Sequence, residues 1–232
     1  MKTVIIISAI AEWNAVKPLF PDAKLEHFPY GECLNVTLDT SALSGAKGWN
    51  VTLFHSGWGK IASAGAIQYL IDHTSPDLIV NLGTCGGFEG VVRQGEIILV
   101  DQTYVYDIVE LMGDLDITTY YASSLDLNWL AEPYPHPVRR GMMASADSDL
   151  PPNKISFLKQ GGAIAADWES AALAWVALKN KARLLILRGV SDMVSEDGGE
   201  AYNNIEVFNE RARGIMRKLI EQLPDWLNAV RL

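Results

Sequence analysis

Four continuous apolar runs along the chain predict β-strands that are buried on both faces. Turn residues bound each run, as is typical of strands inside a parallel sheet. The runs lie at residues 4–8, 78–82, 96–100 and 184–190. Two further segments, 33–38 and 49–55, alternate partly between apolar and polar positions and flank a polar turn at 41–45. They predict an antiparallel pair within the same sheet.

Helical patterns lie between several of these strands, at residues 11–19, 60–73 and 170–178. The clearest pattern is an apolar stripe of period 3.6 from Phe208 to Leu223, and Pro224 is expected to end or kink that helix. Alternating strands and helices favour an α/β fold with helices on both faces of a mostly parallel sheet. Because no repeat or linker interrupts the pattern, we expect one domain over residues 1–232.

Composition and charge exclude several classes of protein. The chain has 232 residues, of which 49% are hydrophobic, so it cannot be intrinsically disordered. A net charge of −9 argues against binding to nucleic acid or to an anionic membrane. The apolar start runs into Glu12 and Trp13 instead of a cleavage site, and no apolar stretch approaches the ~18 residues of a membrane span. We therefore expect a soluble, cytoplasmic protein.

Cysteines, histidines and paired aspartates give no sign of a metal site or a bound cofactor. The four histidines lack the spacing of metal ligands, and Cys33 and Cys85 are too far apart for a zinc motif. Cys85 is expected to be a small buried side chain and not a nucleophile. The aspartate pairs 114/116 and 147/149 are typical of solvated loops.

Polar residues follow the predicted strands at the end where open α/β sheets bind ligands. Glu12 follows the first strand, a glycine-rich turn with Thr84 follows the second, and Glu169 and Asp192 follow later ones. Each also has a purely structural interpretation, such as a tight turn or a helix start capped by Asp167. Their common position is what favours a functional site.

Two other features bear on this site. Arg188 lies inside an apolar run and needs a carboxylate partner if it is buried, for which Glu169 is the obvious candidate. The segment 57–62 fits the glycine spacing of a dinucleotide-binding loop. However, the next strand carries no acidic residue at its end, so we do not expect a nucleotide cofactor.

Five motifs, taken together and in order, resemble the nucleoside phosphorylase/nucleosidase superfamily, most closely the 5'-methylthioadenosine/S-adenosylhomocysteine nucleosidases. They are Ser-Gly-Trp-Gly-Lys (56–60), Asn-Leu-Gly-Thr-Cys-Gly-Gly (81–87), Gly-Glu-Ile-Ile (95–98), Asp-Trp-Glu-Ser-Ala-Ala (167–172) and Arg-Gly-Val-Ser-Asp (188–192). The resemblance spans essentially the whole chain. It implies a three-layer α/β/α sandwich with a mixed, partly barrelled central sheet, assembled as a homodimer or higher homo-oligomer.

The resemblance also implies a role for each motif residue. Asp192 would be the general acid that protonates a purine leaving group, and Glu12 the base that activates water. The substrate-binding residues would be Glu169 on the ribose hydroxyls, Arg188 orienting Glu169, Thr84 near the ribose, Trp168 and Ser191 along base and sugar, Tyr202 covering the site, and Asp149.

This sequence departs from the family pattern at two places. Trp13 stands where the family has its catalytic Glu, and Glu12 precedes it. Asp149 stands at the position of a Phe that stacks on adenine, and Trp168 could supply the stacking face instead.

Three functions therefore remain open. We expect hydrolysis of a purine nucleoside, because Asn81 stands where the similar phosphorylases carry an Arg and a phosphate dianion needs charged donors. A phosphate-dependent phosphorylase is the second hypothesis. A nucleoside-binding protein without catalysis is the third, and the departures at Trp13 and Asp149 motivate it.

Overall fold

A single mixed sheet runs through the computed structural model, which describes residues 1–39, 48–113, 117–202 and 204–231. The turn expected at 41–45 and the aspartates 114 and 116 lie outside these residues. The strands are β1 (Thr3–Ile7), β2 (Leu25–Phe28), β3 (Gly31–Leu38), β4 (Trp49–His55), β5 (Leu78–Phe88), β6 (Ile97–Val105), β7 (Ser123–Ser124), β8 (Arg139–Ser145), β9 (Ala163–Asp167), β10 (Leu184–Ser195) and β11 (Gly198–Gly199).

Part of this sheet closes into a barrel. The strand order is β11-β10-β6-β8-β9-β5-β1-β4-β3-β2, with β7 beside β6. Because β10 also pairs with β5, the strands β5, β10, β6, β8 and β9 form a closed ring, and β1 to β4 extend from it as an open sheet. The mixed, partly barrelled sheet is thus confirmed, as is the antiparallel pairing of β3 with β4.

Helices cover both faces of the sheet. They are α1 (Ile10–Val16), continued by a 3₁₀ turn (Lys17–Leu19), α2 (Gly59–Thr74), α3 (Ile117–Tyr121), α4 (Pro152–Gln160), α5 (Ser170–Lys179) and α6 (Ile205–Asn228). Helix α1 contacts α6, and α2 contacts α5. None of the helices in the described ranges is both long and apolar enough to cross a bilayer.

Alternate residues of β1 enter two different cores. Ile5 and Ile7 pack with α1 and α6, whereas Val4 and Ile6 pack with α2 and α5. This period of two follows from the pleat of a strand and explains why the whole run is apolar. The alternate residues of β1 therefore determine which helix layer packs on each side of the sheet.

Of the two outcomes expected at Pro224, a kink or an end of the last helix, the end is wrong. Pro224 lies inside α6, which continues to Asn228. Trp226 and Leu227 beyond it are fully buried in the same core as Met216. Apolar burial of this last turn outweighs the hydrogen bond that proline cannot donate.

The glycine-rich segment 83–87 is strand and not a turn. It continues β5 past residue 82, and Gly83, Gly86 and Gly87 have no positive φ. A Cβ at Gly83 would collide with the guanidinium of Arg188, and one at Gly87 would collide with Val190. These glycines are required by the close approach of β10, not by backbone conformation.

Candidate active site

The side chain of Glu12 points into the end of the barrel. Helix α1 begins directly after β1 and turns Glu12 towards β5, where the side chain is buried. The backbone N–H and the hydroxyl of Thr84 donate to its Oε1 at 2.6 and 2.8 Å. The N–H of Ala9 donates to Oε2 at 3.2 Å. Three donors therefore fix this carboxylate in one orientation.

Trp13, at the position of the family's Glu, points away from Glu12. Its indole Nε1 donates to Glu32 Oε2 at 2.6 Å, and its ring stacks on His55 with the centroids 5.6 Å apart. The structure thus brings Glu12, and not residue 13, to Thr84.

Arg188 links three carboxylates at the base of the site. Its guanidinium lies 3.0 Å from Asp167, 3.5 Å from Glu169 and 4.0 Å from Glu12, and the side chain is fully buried. The expected contact with Glu169 is present, but Asp167 is closer. Sequence reasoning assigned Asp167 only as a helix cap. It does receive the N–H of Ser170 at 3.2 Å, and it binds Arg188 as well.

Burial raises the pKa values of two carboxyls around Arg188, the single cation of this cluster. Burial raises the pKa of Glu12, against the opposing effect of Arg188 and the Thr84 hydrogen bonds. Burial also raises the pKa of Glu169 to about 8; Asp167 and Glu12 add to that shift, whereas Arg188 and the N–H of Gly59 oppose it. We therefore expect the cluster to retain a carboxyl proton near neutral pH.

Asp192 is held at the neighbouring strand by a β-bulge. In β10, Val190 pairs with Cys85 and Asp192 with Gly86, so Ser191 is the extra residue. The Ser191 hydroxyl donates to Asp192 Oδ1 at 2.6 Å. The Ser191 carbonyl accepts from Arg211 at 3.2 Å. Asp192 was expected just beyond a strand end; it lies within β10 because the bulge lets the strand continue.

Burial raises the pKa of Asp192, whereas the hydrogen bond from Ser191 and the charge of Arg211 lower it. The charges of Glu200 and Asp149 raise it further. A buried carboxyl with a raised pKa can remain protonated at a pH at which an ordinary Asp is ionised. This is the state that a general acid requires.

The remaining predicted residues lie around these carboxyls. Trp168 is half-buried beside Glu169, and Asp149 is exposed. The hydroxyl of Tyr202 donates to the carbonyl of Leu150 at 3.1 Å. Burial raises the pKa of Tyr202 to about 12, and the charges of Asp149 and Asp192 add to this shift. Exposed Asp149 does not provide the apolar stacking face that a Phe would.

Cys85 and the segment 57–62 do not support the competing chemistries. Cys85 is buried against the carbonyl of Gly189, and burial raises the pKa of its thiol, as expected of an inert cysteine. At the start of α2, the N–H of Gly59 donates to Glu169 at 3.1 Å and that of Lys60 to Asp147 at 2.7 Å. Two carboxylates thus occupy the donors that a dinucleotide pyrophosphate would need.

The motifs and the barrel agree with a comparison of whole sequences. The sequence profile of the Phosphorylase superfamily matches residues 3–223. The chain belongs to the phosphorylase superfamily. This confirms the resemblance drawn from its five motifs.

Relatives within the superfamily include two 5'-methylthioadenosine/S-adenosylhomocysteine nucleosidases. The one from Buchnera aphidicola (strain Tuc7) is 28% identical over a 202-residue match that covers 77% of this chain and 83% of the relative. The one from Anoxybacillus flavithermus is 25% identical over a 215-residue match that covers 84% of this chain and 87% of the relative.

Solved structures within the superfamily share the fold. The MTA/SAH nucleosidase of Streptococcus pneumoniae, solved with 8-aminoadenine, has a TM-score of 0.75 at 21% identity and covers 99% of this chain and 100% of its own. That of Colwellia psychrerythraea, solved with adenine, has a TM-score of 0.76 at 21% identity and covers 100% and 97%. The three-layer α/β/α architecture is confirmed by this likeness.

The raised pKa of Glu169 predicts a pH-dependent stability. Its native pKa of about 8 exceeds the ordinary 4.5, so the folded state binds more protons than the unfolded state between these values. The free energy of unfolding should therefore fall as pH rises through this window, by at most about 1.4 kcal/mol per pH unit for one proton. Urea unfolding of wild type and E169Q at pH 5, 6.5 and 8 measures this, and E169Q should show the shallower fall.

The matched control is E26Q, which removes an exposed carboxylate on β2. Its slope should equal that of wild type. Equal slopes for wild type and E169Q would contradict the assignment of a proton to Glu169.

Proposed function

We propose that this protein hydrolyses the N-glycosidic bond of 5'-methylthioadenosine, S-adenosylhomocysteine or a closely similar purine nucleoside. The products would be the free base and the ribose moiety. The names of its relatives support this reaction. So does the arrangement of three acids along β5 and β10: Glu12 and Glu169 share Arg188, and Asp192 pairs with Gly86, two residues beyond the Thr84 that binds Glu12.

The proposed mechanism separates a base from an acid across the sugar. Glu12 takes a proton from water, which attacks the anomeric carbon, while Asp192 gives a proton to the departing purine. Glu169 accepts hydrogen bonds from the ribose hydroxyls, and Arg188 holds Glu169 in place. Such paired proton transfers resemble inverting glycoside hydrolysis through an oxocarbenium-like transition state.

Water is favoured over phosphate by the charge of the site, and this observation carries the proposal. Arg188 is the only cation within 4.0 Å of the buried acids in the part of the chain described, and Asp167, Glu169 and Glu12 already surround it. Asn81, in place of an anion-binding Arg, is fully buried and donates to the carbonyl of Ile6 at 3.0 Å. A phosphate dianion would meet carboxylates here, without the charged donors it requires.

A nucleoside panel with and without inorganic phosphate tests the proposed function. We expect base release from 5'-methylthioadenosine at the same rate in phosphate and in phosphate-free buffer, measured as free adenine by chromatography. Release that requires phosphate would identify a phosphorylase. Tight binding by calorimetry with no release from any nucleoside would identify a binding protein.

We also propose a homodimer built on the surface beside the site. The start of α2 and the segment after β6 touch through the ion pair of Lys60 with Asp107. Both carry large apolar side chains that are more than half exposed: Trp58, Ile61, Val109, Leu111 and Met112. Burying such side chains is the usual reason for self-association.

The cytoplasmic location stays a prediction.

A further inference from the structure

Lys60 joins three segments of the chain that meet beside the site. Its ammonium Nζ lies 2.6 Å from Asp107, which follows β6, and 3.1 Å from Asp147, which follows β8. The backbone N–H of Lys60 donates to Asp147 at 2.7 Å, and the N–H of Asp147 donates to Asp107 at 2.9 Å. The Lys60 side chain is 17% exposed, whereas the side chains of Asp107 and Asp147 are 27% and 40% exposed, so solvent screens these ion pairs in part.

The same helix start contacts the carboxylate that is proposed to bind ribose. The N–H of Gly59 donates to Glu169 Oε1 at 3.1 Å, while Glu169 Oε2 has Arg188 at the longer distance of 3.5 Å. Gly59 adopts a φ of +82°, in the left-handed region, and a Cβ there would press on the carboxylate of Asp147. The position of this N–H therefore depends on how α2 is seated against Asp147.

We propose that Lys60 is a positioning residue that seats the start of α2, so that Gly59 holds Glu169 in the orientation that binds ribose. This inference rests on the proposed function of Glu169. Without the ammonium, Asp107 and Asp147 face each other with no cation between them. The loss of the two ion pairs that hold the start of α2, together with the repulsion of these aspartates, would move the helix start and break the bond from Gly59.

The effect of removing Lys60 should fall on substrate binding. Glu169 contacts the sugar in the ground state and in the transition state alike, so its misplacement weakens both equally. For K60M we expect KM for 5'-methylthioadenosine to rise about tenfold, the scale of one lost hydrogen bond to a charged group, with kcat changed by less than about twofold. K60R can bridge both aspartates with its fork and should return KM close to the wild-type value.

The ion pair of Arg140 with Asp101 is a matched control. It joins the same two strands, near the start of β8 and in the middle of β6, with an Nε–Oδ2 distance of 2.7 Å. R140M should leave KM unchanged. D107N removes one of the two ion pairs of Lys60 from a different segment of the chain, and it should also raise KM. This second variant keeps the test valid if thermal melting shows that K60M folds poorly.

A double-mutant cycle with E169Q separates positioning from general destabilisation. If Lys60 acts through Glu169, K60M should change KM little in the E169Q background. Three results would each overturn the inference. The first is an unchanged KM in both K60M and D107N, and the second is an equal rise of KM in K60M and R140M. The third is that the effects of K60M and E169Q on KM are additive. Absence of base release by the wild type would instead overturn the proposed function.

Discussion

Replacing Asp192 by Asn is expected to reduce kcat for base release by about a thousandfold while the protein remains folded. A positioned general acid contributes typically 10²–10⁴-fold. Asn keeps the shape of the side chain and can still accept the hydrogen bond from the Ser191 hydroxyl, but it has no proton to give to the purine. The loss should therefore appear in kcat, with binding of 5'-methylthioadenosine by calorimetry nearly unchanged.

D197N is the matched control for D192N. Asp197 lies on the exposed turn between β10 and β11, so this variant makes the same change of acid to amide on the same hairpin. It should turn over like wild type. Hydrolysis by D192N within about tenfold of wild type would exclude Asp192 as the acid, because so small a loss is below the range for general acid catalysis.

The raised pKa of Asp192 also predicts how activity changes on the alkaline side of the pH profile. An acid must be protonated to act, so kcat/KM should fall as pH rises through the pKa of Asp192 in the free protein. Because burial moves that pKa upwards, this fall should lie at higher pH than for an ordinary Asp. In D192N the residual rate should no longer show this fall.

The convergence of Glu12, Thr84 and Asp192 could be predicted because β1, β5 and β10 run parallel, and the apolar runs located these strands. Glu169 follows β9, which pairs antiparallel with β5, so its place beside the others depends on the closure of the barrel. The same rule failed to place strand ends correctly at β5 and β10. A glycine can be required either by a turn or by a neighbouring strand that packs too close for a Cβ. At Gly83 and Gly87 the second reason applies, and only the packed positions of Arg188 and Val190 show it.

The contacts that tune the site could not be predicted, because they join residues far apart in the chain. Asp167 was expected to cap a helix, and its contact with Arg188 depends on β9 and β10 lying in one barrel. The seating of α2 by Lys60 depends likewise on Asp107 and Asp147. Motif spacing identifies the carboxyls, whereas the three-dimensional arrangement sets their pKa values.

Replacing Glu12 by Gln is expected to reduce kcat by 10²-fold or more, since it removes the base for water. Gln preserves the volume, and its carbonyl oxygen can still accept from Thr84, but its amide would meet the N–H of Ala9, where the carboxylate accepted a hydrogen bond. In a pH profile of kcat/KM, wild-type activity should fall on the acid side at a higher pH than it would with an ordinary Glu. The reason is that burial raises the pKa of Glu12 and a base must be ionised to act. In E12Q this fall should be absent.

E32Q provides the comparison that decides between residues 12 and 13. Glu32 binds the indole of Trp13 on the other side of α1, so E32Q changes a nearby carboxylate that does not face Thr84. Turnover of E32Q should be close to that of wild type. If E12Q retained wild-type turnover, the water-activating base would have to be another group. If E32Q lost as much as E12Q, the loss would belong to the packing of α1 and not to proton transfer. Glu12 points towards Thr84, whereas Trp13 points away from it. We therefore expect a large loss of turnover in E12Q and none in E32Q.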